Sequence, residues 1–100
     1  MKFILNVTLP TTEFNEAVKD GSVGEKLEKI MASNAPEAVY FTTNEGQRSC
    51  MLIVNLDDAS ALPKLAEPWF LTFNAEVDIK LVMQPEDLAK AGLGEIGKQW

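Results

Sequence analysis

The residues able to do chemistry in this chain are few. None of its 100 residues is a histidine, which removes the commonest general base, the commonest metal ligand and the physiological-pH switch together. The single cysteine, Cys50, alternates onto the same strand face as Leu52. With no Lys or Arg placed to lower its pKa, it reads as a buried structural thiol rather than a nucleophile. One cysteine, no histidine and carboxylates that never cluster at ligand spacing give no metal site, and no cofactor is expected. Asp57 and Asp58 precede a helical apolar pattern and read as a helix cap rather than a paired acid site. Gly92-Leu93-Gly94-Glu95-Ile96-Gly97 spells G-x-G-x-x-G. That fingerprint works only between a strand and a helix whose N-terminus holds a pyrophosphate. Only three residues follow Gly97, so the segment reads as a flexible tail.

What remains is a small polar set. Arg48 is the only arginine; a guanidinium at a strand end can hold a carboxylate bidentately. Tyr40, Asn6 and Asn55 alternate onto one strand face, together with Met51. A few polar points in apolar surroundings are the composition of a small-ligand site. The same residues could equally be hydrogen-bonded across an interface. If proton transfer occurs here, it falls to Tyr40 or to a carboxylate such as Asp78 or Glu76, whose pKa burial could raise.

The elements that must position these residues follow from periodicity. Lys2 to Leu9 alternates with period two and is closed by Pro10, hence a strand. Thr11 and Thr12 are N-cap candidates for a helix carrying Phe14, Ala17 and Val18. Gly21, Ser22 and Gly24 interrupt it before Leu27, Ile30 and Met31 resume, so one loosened helix or two in series both fit. Glu37 to Thr43 is a second strand. Asn44-Glu45-Gly46 then predicts a tight hairpin into a third strand, Arg48 to Leu56. Leu62, Leu65, Ala66, Trp69 and Phe73 have helical spacing, with Trp69 a core residue and Pro68 expected to bend or end the helix. Ala75 to Met83 is the fourth strand. Glu86 to Ala91 is a short helix closed by Gly92, and residues from about 86 to 100 form a short C-terminal helix and tail.

The order strand, helix, strand, strand, helix, strand is the split βαβ plan. It predicts one domain over residues 1–100: an α+β, ferredoxin-like βαββαβ fold with both helical segments on one face of a four-stranded antiparallel sheet. The helix-covered face collects Phe3, Leu5, Val7, Val39, Phe41, Cys50, Leu52, Val54, Val77, Ile79 and Leu81. The opposite face keeps Ile4, Met51, Ile53 and Val82 with no helix left to cover them. Soluble monomers seldom leave such a patch bare, and a two-fold axis would cover it with a second copy. These four residues are the expected homodimer interface. Two sheets closing over one another would enclose a largely apolar chamber whose small-ligand site is Asn6, Tyr40, Met51 and Asn55, with Arg48 near one opening.

Met1-Lys2-Phe3 opening a strand, Pro10 before an acid-bearing helix, Gly46 before the third strand, Asp57-Asp58-Ala59 before a helix containing Trp69, and the Met83-Gln84-Pro85-Glu86-Asp87 exit carry a resemblance. Together they look like the dimeric α+β-barrel superfamily, and most like its small single-domain bacterial members. The resemblance implies a homodimeric barrel. It also admits an enzyme of the isomerase or cofactor-independent monooxygenase type, although many relatives depend on a histidine that is missing here. A regulatory or interaction module is a third class the plan allows. Fifteen acids against nine bases give a net charge of -6, a field that repels a phosphate backbone, so no nucleic acid is expected as a partner. No stretch reaches the ~20 apolar residues of a membrane span, and no signal-peptide pattern opens the chain. A cytoplasmic protein, partnered by itself and by a small organic ligand, is the expectation.

Overall fold

In the computed structural model, which describes residues 1–100, the chain forms β1 (Lys2–Leu9), α1 (Thr11–Asp20), α2 (Val23–Asn34), β2 (Ala38–Asn44) and β3 (Gln47–Asn55). A 3-10 turn (Ala59–Ala61) then leads into α3 (Leu62–Phe73), β4 (Glu76–Val82), α4 (Pro85–Lys90) and α5 (Leu93–Gly97). The strands make one sheet in the order β2-β3-β1-β4, antiparallel throughout. β1 and β3 are central, as the apolar middle of both strands requires.

Local chemistry explains the boundaries. Gly21 takes φ +83 and ends α1, so the glycine-rich interruption resolves into two helices in series. Neither Thr11 nor Thr12 caps α1; Pro10 precedes it, and the Phe14 amide donates to the Pro10 carbonyl at 3.1 Å. Asp58 accepts from the Ser60 amide at 2.8 Å and caps the 3-10 turn. The Glu45-Gly46 loop has φ +50 and +79. Positive φ at both positions is the type I′ geometry that matches strand twist.

α3 does not end at Pro68 but continues to Phe73, where Asn74 in the left-handed region closes it. Proline removes the bond to the carbonyl four residues back, that of Lys64. Lys64 is exposed, so water can take that carbonyl and the interruption is cheap. Leu5, Val7, Cys50, Leu52 and Val54 on the sheet pack with Trp69, Phe73, Leu65, Ile30 and Ala17 on the helices. Asn34 is buried among them: its amide oxygen accepts from the Trp69 indole at 2.9 Å, and its Nδ2 donates to the Leu65 carbonyl at 3.3 Å. This bond fixes where α2 and α3 cross.

Phe3, Val39, Val77 and Ile79 are partly buried against the core, and two expected core residues are exposed. Phe41 and Leu81 are 60% and 61% exposed, because they sit on the edge strands β2 and β4, beyond the reach of the helical layer. The segment expected to be a structureless tail is also different. Gly92, at φ +70, starts the five-residue helix α5, with no strand leading into it, so the glycine pattern still lacks the strand-to-helix setting that phosphate binding needs.

Candidate functional site

The strand registers set the outer face in four rows, counted across the sheet from β2 to β4. Thr42, Ser49, Thr8 and Glu76 form the first; Tyr40, Met51, Asn6 and Asp78 the second; Ala38, Ile53, Ile4 and Lys80 the third. The fourth has Asn55, Lys2 and Val82. Polarity therefore grades along the strands, from hydroxyl-rich at one end to apolar in the third row.

Short side chains on β2, β3 and β1 in the first row leave a depression beside the longer Glu76 and Asp78 of β4. It is a hollow of about 610 Å³ lined by Asn6, Thr8, Thr42, Ser49, Glu76 and Asp78, with Thr43, Asn44 and a single hydrophobic residue, Val77. Ser49 is buried at its floor. Asn44 Nδ2 donates weakly to Thr8 Oγ1 at 3.5 Å. Asp78 lies 3.5 Å from Lys80 in a solvent-exposed pair, which screening makes nearly worthless energetically; Glu76 has no ion pair. The hollow thus offers hydroxyls that donate or accept and two carboxylates that only accept. It suits a neutral or cationic molecule with O–H or N–H groups, and it disfavours anions.

The expected site residues are only partly brought together. Asn6 lines the hollow, and Tyr40 and Met51 sit beside it in the second row. Asn55 lies at the other end of the face, where its Nδ2 donates to Glu37 and Lys2 Nζ meets the same carboxylate at 2.9 Å. Those two partners hold the Glu37 carboxyl below its ordinary value. Arg48 is on the helix side of the sheet: its guanidinium donates to Asn15 Oδ1 at 2.8 Å and stacks 4.7 Å from the Phe14 ring centroid. It anchors α1 and does not reach the hollow, since one register step separates it from the outward Ser49. Ile4, Met51 and Ile53 are contiguous by register, and Val82 lies one row further. The concavity of the single chain is polar, because Ile4 and Ile53 are displaced along the strands from the short side chains.

Sequence reasoning left Thr8, Thr42 and Ser49 out of the site. Period-two alternation puts all three on the outer face, but only the registers align them in one row. Elsewhere the chemistry is closed. Cys50 faces the helices, and burial pushes its thiol up to about 12. No three His, Cys, Asp or Glu side chains converge where they could hold a metal ion.

A four-stranded antiparallel sheet in this order, with helices on one face, defines an α+β protein of the ferredoxin-like type. Residues 1–95 match a family model described as a domain of unknown function (DUF3303), and the chain belongs to that family. The fold is similar to that of 5-chloro-2-hydroxyhydroquinone dehydrochlorinase (TftG) from Burkholderia phenoliruptrix AC1100, solved with 2,5-dihydroxybenzoquinone. The TM-score is 0.57 at 13% identity, over 87% of this chain and 98% of that one. Protein Atu4242 from Agrobacterium tumefaciens is similar at a TM-score of 0.41 and 12% identity, over 85% and 96% of the two chains. None of the curated proteins matches the sequence. No helix is long and apolar enough to cross a membrane.

Proposed function

We propose that this protein is a homodimer joined through the outer sheet face, and that the polar hollow binds a small neutral organic molecule bearing hydroxyl groups. The observation that carries the reading is the hollow itself. It spans all four strands on the face without helices, and its volume of about 610 Å³ falls within the usual range for small-molecule sites. Ile4, Met51 and Ile53 beside it supply the apolar surface a second copy would cover. Carboxylates of Glu76 and Asp78 accept from phenolic O–H groups, and the hydroxyls of Thr8, Thr42 and Ser49 serve either role.

The hydroxylated quinone bound by TftG makes benzenetriol and hydroquinone the first probes. Their neutral forms avoid the repulsion an acidic hollow imposes on an anion. Anaerobic calorimetric titration of wild type, Asn6→Leu and Glu76→Gln tests the site. A site built on these groups loses about 1–3 kcal/mol of affinity with each change, because the ligand's polar group is left unpaired. No heat from either probe, or equal affinity in all three proteins, sinks the binding reading. Turnover of a bound probe would instead favour a histidine-free isomerase or oxygenase.

Ile53→Lys tests the dimer by placing a charge in the apolar row. Sedimentation equilibrium at micromolar concentration should show twice the chain mass for wild type and the single-chain mass for the variant. A wild-type monomer would remove the barrel.

A further inference from the structure

We infer that the C-terminal arm, Met83 to Trp100, is a clasp that packs on a second copy of this chain. The inference rests on the sheet-face dimer and extends it. The radius of gyration is 16.9 Å and the longest dimension 60 Å against 28 and 19 Å, whereas a compact 100-residue domain has a radius near ~13 Å. The excess comes from the arm. No residue from Met83 onward is buried, and the core with its flanking apolar residues draws on nothing beyond Ile79.

The arm nevertheless has an apolar stripe. Leu93 and Ile96 fall at i and i+3 on α5, and Trp100, three residues past its end, is 99% exposed. α4 has six residues and α5 five. Helices this short are not stable alone in water, so their order calls for a surface to lie on.

Two observations make that surface a second copy. The first is area. Four strands about 4.8 Å apart and about seven residues long give a flat outer face of roughly 450 Å². A stable interface takes roughly 800 Å² from each partner. The sheet face alone falls short, and an exchanged arm of apolar side chains supplies the difference twice over under a two-fold axis. The second is continuity. The arm leaves the sheet at Val82, in the row next to Ile4 and Ile53, and its root forms an apolar cleft of about 420 Å³ lined by Val82, Met83, Pro85 and Leu88. Its three acids and two lysines leave it nearly neutral, so an acidic body does not repel it strongly.

The test uses the two tryptophans. Trp69 is fully buried, so quenching by neutral acrylamide, which added acidic side chains do not repel, reads chiefly Trp100. Sedimentation is run on the same samples, with a Leu93→Glu/Ile96→Glu double variant whose core is untouched. The expected result is Trp100 shielding that rises with dimer fraction, and at least tenfold weaker dimerisation with open Trp100 in the variant. A wild-type dimer with Trp100 equally quenched at every concentration overturns the clasp and leaves the sheet dimer standing. Shielding in a monomer means the arm folds on its own body and also overturns it. A monomer with open Trp100 removes both readings.

Discussion

Removing the Asn34 side chain should destabilise the fold by more than its size suggests. Asn34→Ala leaves the fully buried Trp69 indole N–H without the acceptor now at 2.9 Å, and an orphaned buried donor costs about 1–3 kcal/mol. The void left by the amide adds about 0.5 kcal/mol at roughly 24 cal/mol per Å³. Better helix propensity of Ala returns a few tenths of a kcal/mol. The net is about 2 kcal/mol, or a fall in Tm of about 8–16 °C for a chain of this length. Urea unfolding followed by far-UV circular dichroism, at one fixed protein concentration, measures it. The Trp69→Phe background isolates the bond, because phenylalanine has no donor to orphan. There Asn34→Ala should cost at least about 1 kcal/mol less. Equal costs in both backgrounds would show that the amide acts only by filling space, and would refute the reasoning.

Cys50, buried with its thiol pushed up to about 12, should resist disulfide reagents at about pH 8 and label only as fast as the chain opens. Prompt labelling of native protein would contradict that burial. The Glu37 carboxyl is lowered by its bonds to Lys2 and Asn55, so its contribution is complete above the unfolded glutamate value of about 4.3. It is lost as pH falls through the lower folded value. The urea midpoint should therefore drop as pH falls below the unfolded glutamate value, less steeply in Glu37→Gln; identical slopes would show the pair contributes nothing. Glu45→Asn should raise Tm by a few degrees, since φ +50 is a conformation asparagine tolerates better than glutamate.

The architecture was legible because period-two alternation in Lys2–Leu9 and Arg48–Leu56 leaves little doubt about which face each residue takes. Position within a face was not legible, because alternation says nothing of register. Thr42, Ser49 and Thr8 share the outer face by alternation, yet only pairing aligns them into a row with Glu76. Arg48 was misplaced for a related reason: its neighbours in sequence point outward, and the Phe14 ring that holds it comes from another element. The role of Asn34 is not legible, because sequence cannot show that a buried indole lies opposite it. Phe41 and Leu81 looked like core because their faces were right. Their exposure depends on how far the helical layer spreads over the edge strands.

The gradation of the outer rows also constrains how two copies can meet. An axis in the interface plane and perpendicular to the strands would reverse the row order, laying Asn6 on the partner's Ile4 and so setting an amide against an apolar side chain. An axis along the strands keeps rows opposite rows. It lays Ile53 on the partner's Ile4, closes hollow over hollow, and carries β4 over the partner's β2. Glu76 then faces Thr42 and Asp78 faces Tyr40, whose hydroxyl can donate to a carboxylate. The acids lie on an edge strand, so the two copies' carboxylates stand at opposite sides of the chamber instead of confronting each other. Had they been on β1 or β3, closure would have brought four like charges together near the axis, where low dielectric makes repulsion costly. The same operator would set Val82, where the arm leaves β4, beyond the start of the partner's β2 at Ala38. One symmetry element would thus serve both the proposed sheet pairing and the proposed chamber.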